Sequence, residues 1–299
     1  MELGKLLKRM KYSGPTKPAD LNLLNELCIH YVSSIPYENL DIFGGKKRVH
    51  DLPTIYEEIV MKNRGGMCIE LNSLLHWMLS KIGFEVTMCM AYSLDENDDV
   101  EKFVNHMVLL VKFDTDDIWL VDVGYGGLSF VFPLEMKKLA QEQSQPNGVY
   151  MITKREGIHA VEKKRQVQLS KDGQKVPSTR NNLNQPISKY QTSRDWELMF
   201  VFRTEPKSFN DFHHASEYAK TSHPWCTKNS TVVLQDRERR VFLVGDTLVE
   251  KRYVDPMTVR VVEIQKYHKT EIPEILKSKF GIVLSYKLQP ESQMTWFMM

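Results

Sequence analysis

The amino-acid sequence predicts an α+β protein, with a helical first third, a β-rich middle and a final third that mixes both. Three observations carry this. Apolar residues recur at helical spacing up to Gly83, alternate at strand spacing just after it, and follow both patterns beyond Leu198. At 299 residues the chain has room for two or three compact units. A chain of that size buries roughly three quarters of its unfolded surface, so its core requires neither disulfides nor a structural metal.

Each element follows from its pattern. Leu23, Leu24, Leu27, Cys28 and Tyr31 share one helix face, and Pro36 closes that segment. A second helix is expected over Leu52 to Lys62, with Ile55, Ile59 and Val60 apolar. The clearest runs from Cys68 to Ile82, where Leu71, Leu74, Leu75, Met78 and Leu79 form a stripe and Gly83 stands at the C-terminal cap. Val86, Met88, Met90 and Tyr92 then alternate as in a half-buried strand. His106 to Phe113 and Ile118 to Val123 read as a hairpin about Asp114-Thr115-Asp116-Asp117. Further strands are expected over Val149 to Lys154, Ala160 to Leu169, Leu198 to Arg203, Thr231 to Gln235 and Val241 to Val244. Lys171 to Tyr190 reads as an inserted loop, and Ile272 to Lys279 as a helix ended by Gly281.

Composition narrows the function. Lys plus Arg number 40 against 38 Asp plus Glu, which argues against the dominant basic face of a nucleic-acid binder. No apolar run approaches the ~18 residues of a membrane span, and the N-terminus lacks the apolar core of a signal peptide. A soluble, cytoplasmic protein is expected. Cys28, Cys68, Cys89 and Cys226 form no CxxC pair, so neither a zinc ribbon nor a thioredoxin-type site is expected, and no metal.

The sharpest chemical feature is Arg64-Gly65-Gly66-Met67-Cys68. The two glycines free the backbone to turn tightly. Cys68 then falls at a helix start, where unpaired N–H groups and the positive dipole end favour a thiolate and can receive an oxyanion. A lone cysteine more often packs as a small hydrophobe; the Gly-Gly turn and the helix start distinguish this one. A thiolate nucleophile also wants a base and a group to orient the base. His106 and Asp122 lie 16 residues apart, and in a regular hairpin an even separation puts both on one face, opposite or one diagonal step apart. Flanked by Val121 and Val123, an ionised Asp122 is costly unless paired, and a histidinium offsets that cost. Elsewhere, His213, His214 and His223 have no ligand spacing with Cys226 and read as solvated loop residues. Gly124, Gly126 and Gly127 match no dinucleotide fingerprint. Arg237 to Arg240 and Lys163-Lys164-Arg165 read as solvated turns.

RGGMC at 64–68, NHMVLLV at 105–111 and LVDVGYG at 120–126 resemble the three signature stretches of the arylamine N-acetyltransferases. The likeness continues through KRMKYSGP near the start, IPYENLDI at 35–42 and FLVGDTL at 242–248, and the insertion around 171–190 looks like that of the vertebrate members. The resemblance implies a helical bundle over 1–83 carrying the cysteine, a β-barrel over 84–195 carrying His and Asp, and an α/β lid over 196–299. The core would be similar to that of papain-like and transglutaminase-like enzymes. It further implies transfer of acetyl from acetyl-CoA to arylamines, arylhydrazines or N-hydroxyarylamines, with Cys68 as nucleophile, His106 as base and Asp122 as its orienter. Lys102, Phe103, Tyr218, Thr221 and Ser222 match positions that touch CoA. Asn105, Tyr125, Gly127 and Ser129 match the acceptor side. The lid departs from the family pattern at TSHPWC, 221–226, and the longer C-terminus leaves open whether Ser292 or Thr295 reaches CoA. The same triad would also serve a thiol hydrolase or a transglutaminase-like acyl transferase, with water or a peptide amine as acceptor.

Overall fold

The computed structural model describes residues 1–46, 49–93, 106–113, 117–176, 188–222 and 224–288. The first third holds α1 (Leu3–Arg9), α2 (Leu21–Ser34), β1 (Tyr37–Glu38), α3 (Leu40–Phe43), α4 (Leu52–Tyr56) and α5 (Cys68–Ile82). Caps set their boundaries. Asp20 accepts the Leu23 N–H at 2.8 Å and Asp51 that of Thr54 at 2.7 Å, each pairing a donor the helix leaves open. Past Tyr56 the expected second helix continues as a π turn, Glu57–Met61. Helix α5 spans the residues its stripe indicates, and Gly83 closes it at φ 109°, where a side chain would be strained. Its Leu71, Leu74, Leu75, Met78 and Leu79 pack among α1 and α2 in one core.

The middle of the chain supplies β2 (Glu85–Tyr92), β3 (His106–Lys112), β4 (Ile118–Val121), β5 (Leu134–Glu135), β6 (Gln143–Gln145), β7 (Gly148–Arg155), β8 (Ile158–Lys164), β9 (Val167–Leu169), β10 (Lys175–Val176) and β11 (Trp196–Phe202). Eight of these form a barrel-like sheet in the order β5-β4-β3-β2-β11-β8-β7-β6. Side-chain amides bridge its seam. Gln145 Oε1 accepts the Val131 and Phe132 N–H groups at 3.0 and 2.9 Å, while its Nε2 donates to Phe132 O at 2.7 Å. Gln143 exchanges two such bonds with the Glu135 backbone. Cys89, Ala91, Val108, Leu110, Leu120, Phe200 and Phe202 fill the interior, and Met88, Met107, Leu109 and Val121 on the outer side join the core that holds α5. Strand β2 is therefore covered on both faces over much of its length. Its small alternate residues point into the barrel where a solvated face was expected.

The last third gives α6 (His213–Thr221), α7 (Pro224–Lys228), β12 (Thr231–Gln235), β13 (Arg239–Val244), β14 (Thr247–Asp255), β15 (Thr258–Lys266) and α8 (Ile272–Phe280). A second sheet runs β1-β12-β13-β14-β15-β9-β10, and α8 covers Val232, Val241, Leu243 and Leu248. The divisions at residues 83 and 195 are crossed by strands: β11 belongs to the barrel, while β1, β9 and β10 belong to the second sheet.

Several expectations are corrected. Ala160 to Leu169 is two strands in two sheets, joined by Arg165-Gln166. The expected loop from Lys171 contains β10, which pairs with β9; residues 177–187 lie outside the described residues. Strands β14 and β15 go beyond what the apolar pattern predicts, because Glu250 and Lys251 interrupt that pattern in β14. Both are buried, Glu250 ion-paired with Arg239 at 3.1 Å and Lys251 bonded to Gln168 at 2.6 Å. His213 and His214 are exposed as expected, but they open α6 rather than lie in a loop, and His223 is outside the described residues. Lys163, expected in a solvated turn, is buried on β8, and Arg239 and Arg240 lie on β13. Among the described residues no helix is long and apolar enough to cross a membrane, and no group of three or more His, Cys, Asp or Glu could hold a metal ion.

Replacing Gln145 by Leu takes the partner from the buried Val131 N–H and from two part-buried groups of Phe132, so unfolding should become easier by about 1–3 kcal/mol, read as a lower urea midpoint.

Candidate active site

The turn before α5 is held by a buried ion cluster. Arg64 bonds Glu38 through Nε at 3.0 Å and Nη2 at 2.8 Å, and Nη2 also lies 2.8 Å from Asp41. Asp41 in turn accepts the Tyr286 hydroxyl at 2.5 Å. Backbone bonds tie Gly66 to β1 and to the residue just before it: Glu38 N donates to Gly66 O at 3.0 Å and Gly66 N to Pro36 O at 3.3 Å. A Cβ at Gly65 would sit 2.0 Å from Pro36 O, so only glycine allows that approach. The result is a rigid lead into α5, whose first residue is Cys68.

His106 opens β3 and Asp122 follows β4, so both stand at one rim of the barrel. Leu109 pairs with Val121 and Leu110 with Leu120; continued, this register puts Asp122 beside Val108, one diagonal step from His106. His106 Nε2 lies 2.8 Å from Asp122 Oδ2, and both side chains are almost wholly buried. The imidazole also hydrogen-bonds the Cys68 thiol, for which the second ring nitrogen remains. Burial by itself would lower the His106 pKa; the Asp122 charge and hydrogen bond, with Cys68, outweigh it and raise the pKa to about 10. Edge-on contact with the Tyr125 ring at 5.1 Å and tilted contact with Phe200 at 5.2 Å leave the imidazole little room to turn.

Asn72, which belongs to no motif, and Gly124, expected only to turn the chain or let it approach a substrate, complete this arrangement. Asn72 lies four residues after Cys68, on the same face of α5, and is fully buried. Its Nδ2 donates to Asp122 Oδ1 at 2.9 Å and to Met107 O at 2.8 Å, while its Oδ1 accepts Val123 N at 3.1 Å. Gly124 donates its N–H to Asp122 Oδ1 at 2.8 Å, and a Cβ there would come within 2.6 Å of the Cys68 Cα. Glycine thus lets the Asp122 strand end touch the first turn of α5. A polar residue one turn after a candidate nucleophile, within an apolar stripe, was the available signal for Asn72.

Cys68 and His106 open onto a cavity of about 330 Å³, lined also by Tyr37, Tyr125, Leu128, Val233 and Phe242. Cys226 lines it too, but burial pushes that thiol up to about 12, as it does Cys28 and Cys89. None of the four cysteines is in a disulfide. Tyr125 lies in the cavity wall, with its N–H on Ser129 Oγ at 2.8 Å and its hydroxyl donating to Met199 O. Ser129 itself is fully buried behind that wall. The absent side chain of Gly127 makes no spare room, since a Cβ there would meet Val233 Cγ1 at 2.9 Å. Tyr218, Thr221 and Ser222 lie on and just after α6, which reaches the cavity through Ala219; Thr221 Oγ1 donates to Glu217 O at 2.8 Å. Lys102, Phe103, Asn105, Ser292 and Thr295 lie outside the described residues.

The raised His106 pKa makes stability depend on pH. Protonated His106 contributes fully below its unfolded pKa of about 6.5, and that contribution is lost as pH rises toward 10. The urea midpoint should therefore fall between those limits, and the fall should be shallower in Asp122→Asn.

The N-acetyltransferase family model matches residues 20–289. Arylamine N-acetyltransferase 2 of Mesocricetus auratus is 32% identical over 97% of each chain, and the pineal gland isozyme NAT-10 of Gallus gallus is 30% identical over 97% of each. The solved M. smegmatis arylamine N-acetyltransferase superposes with a TM-score of 0.76 at 25% identity, covering 97% of this chain and 96% of its own. The Mycobacterium marinum enzyme in complex with CoA, 22% identical, shares the fold with a TM-score of 0.75 over 94% and 93%. With a family match over nearly the whole length and the cysteine, histidine and aspartate gathered at one cavity, this chain belongs to the arylamine N-acetyltransferase family.

Proposed function

We propose that this protein moves the acetyl group of acetyl-CoA to arylamines, arylhydrazines or N-hydroxyarylamines through an acetyl-Cys68 intermediate. The observation that carries the reading is the thiol–imidazole–carboxylate chain, Cys68 to His106 to Asp122, opening on a cavity large enough for a substituted aromatic ring.

The Cys68 sulfur attacks the thioester carbonyl, and the oxyanion that develops lies beside the first-turn N–H groups of α5. As the carbonyl re-forms, the C–S bond to CoA breaks and the departing thiolate takes the His106 proton. Exchange of one thioester for another is nearly thermoneutral, which suits a thiol nucleophile. The amine of the acceptor then attacks acetyl-Cys68, and neutral His106 takes its proton while the Cys68 thiolate leaves. Asp122 keeps the imidazole oriented and offsets its charge. Aromatic acceptors suit a wall made of Tyr37, Tyr125 and Phe242. Tyr218, Thr221 and Ser222, at the end of α6, are the proposed contacts to the CoA moiety. A cytoplasmic setting, where thiols stay reduced, fits a chain whose four cysteines form no disulfide.

Rapid mixing with acetyl-CoA alone should add one acetyl mass to the wild type and none to Cys68→Ala. CoA release should then accelerate on adding an arylamine. Release that ignores the amine would indicate hydrolysis, and absence of an adduct would refute the intermediate. In Asp122→Asn, kcat should fall by about 10³- to 10⁴-fold.

A further inference from the structure

Resting on the acetyl-transfer reading, we propose that the Tyr37 hydroxyl selects acceptors with a heteroatom next to the reacting nitrogen, favouring arylhydrazines and N-hydroxyarylamines over plain arylamines. Tyr37 is the first residue of β1, and its backbone is fixed on two sides. It pairs with Val233 of β12 and bridges to Gly66, two residues before Cys68. The half-buried side chain lines the cavity of Cys68 and His106 and packs on the cluster of Met67, Ala219 and Cys226. A Cβ at Gly126 would stand 3.7 Å from Tyr37 Cδ1. The ring thus sits between the lead into α5 and the glycine turn that follows Asp122.

Among the described residues nothing hydrogen-bonds the Tyr37 hydroxyl, and it is not shut off from the cavity. Other donors of the wall are already engaged. Tyr125 donates its hydroxyl to Met199 O, and Arg240 Nη1 donates to Gly127 O at 2.9 Å. Burial, with the acidic groups of Cys226, Cys68 and Glu70 nearby, raises the Tyr37 pKa well above its usual range. The phenol therefore keeps its proton and acts as a donor, within electrostatic reach of the Cys68 sulfur. An acceptor attacking acetyl-Cys68 brings its nitrogen to that sulfur, with the next atom of the acceptor beside it. In a plain arylamine that atom is a ring carbon, which accepts no hydrogen bond and leaves the hydroxyl unanswered once water is displaced. In an arylhydrazine or an N-hydroxyarylamine it is nitrogen or oxygen, with a lone pair for the phenol. The bond changes stay the same: nitrogen bonds the acetyl carbon, the C–S bond to Cys68 breaks, and His106 takes the nitrogen's proton.

The test compares phenylhydrazine with aniline in the wild type and in Tyr37→Phe, which keeps the ring. The readout is the ratio of the two kcat/KM values, because the intrinsic reactivity of each nitrogen cancels between the two proteins. That ratio should fall about fivefold or more in the variant, the factor one buried hydrogen bond is worth, chiefly through KM for phenylhydrazine. N-phenylhydroxylamine should follow phenylhydrazine. Residual aniline turnover reports that the variant is folded. An unchanged ratio, whether both rates fall together or neither falls, would overturn the proposal. A loss traced to slower formation of the acetyl adduct from acetyl-CoA alone would assign the hydroxyl to the donor and overturn it too. Equilibrium titration of both proteins with the two acceptors, without acetyl-CoA, reads the preference independently of turnover. Hydrazine-selective binding that Tyr37→Phe loses, with no acetylated product from either acceptor, would sink the transferase reading and leave the Tyr37 assignment standing. Binding selectivity that is the same in both proteins would sink the assignment itself.

Discussion

The Asp122 carboxylate, removed from water at the barrel rim, is the constraint on which the site depends. An ionised carboxylate in that position is costly unless every direction around it is answered. Three groups answer it: the His106 imidazole, the Asn72 amide and the Gly124 N–H. These come from β3, from α5 and from the chain just past β4, so satisfying one carboxylate locks the helix bearing Cys68 onto the strands bearing its base. The same demand raises the His106 pKa and supplies the charge that the thiol chemistry uses.

A second buried charge cluster acts one step earlier in the chain. Arg64 with Glu38 and Asp41 holds the Gly-Gly turn against β1, and Tyr286 reaches the cluster from beyond α8. Because β1 also pairs with β12, the lead into α5 and the second sheet are parts of one framework. The cavity wall built by β12 and β13 is thereby positioned relative to the thiol by main-chain hydrogen bonds rather than by a loose interface. Substrate shape and nucleophile are fixed by the same few residues.

Division of labour among the cavity's polar groups follows from their partners. Cys226 shares the cavity with Cys68, but burial keeps its proton in place, and only Cys68 stands in hydrogen bond with His106. Tyr125 is spent on holding the wall through Met199 and Ser129.

Local pattern was enough to reveal much of this. The stripe of α5 with its Gly83 cap, the Gly-Gly turn before Cys68 and the even spacing of His106 and Asp122 all express short-range rules of helix and strand geometry, and the structure brings those three side chains together. What lay beyond the sequence depended on long-range partners. Glu250 and Lys251 masked a strand because their burial is bearable only beside Arg239 on the neighbouring strand β13 and Gln168, which lies in β9, 83 residues before Lys251. The exchange of strands between sheets, the role of Asn72 and the inward reach of Arg240 were likewise decided by tertiary packing, since a polar residue declares whether it faces water or a buried partner only once that partner has been brought to it.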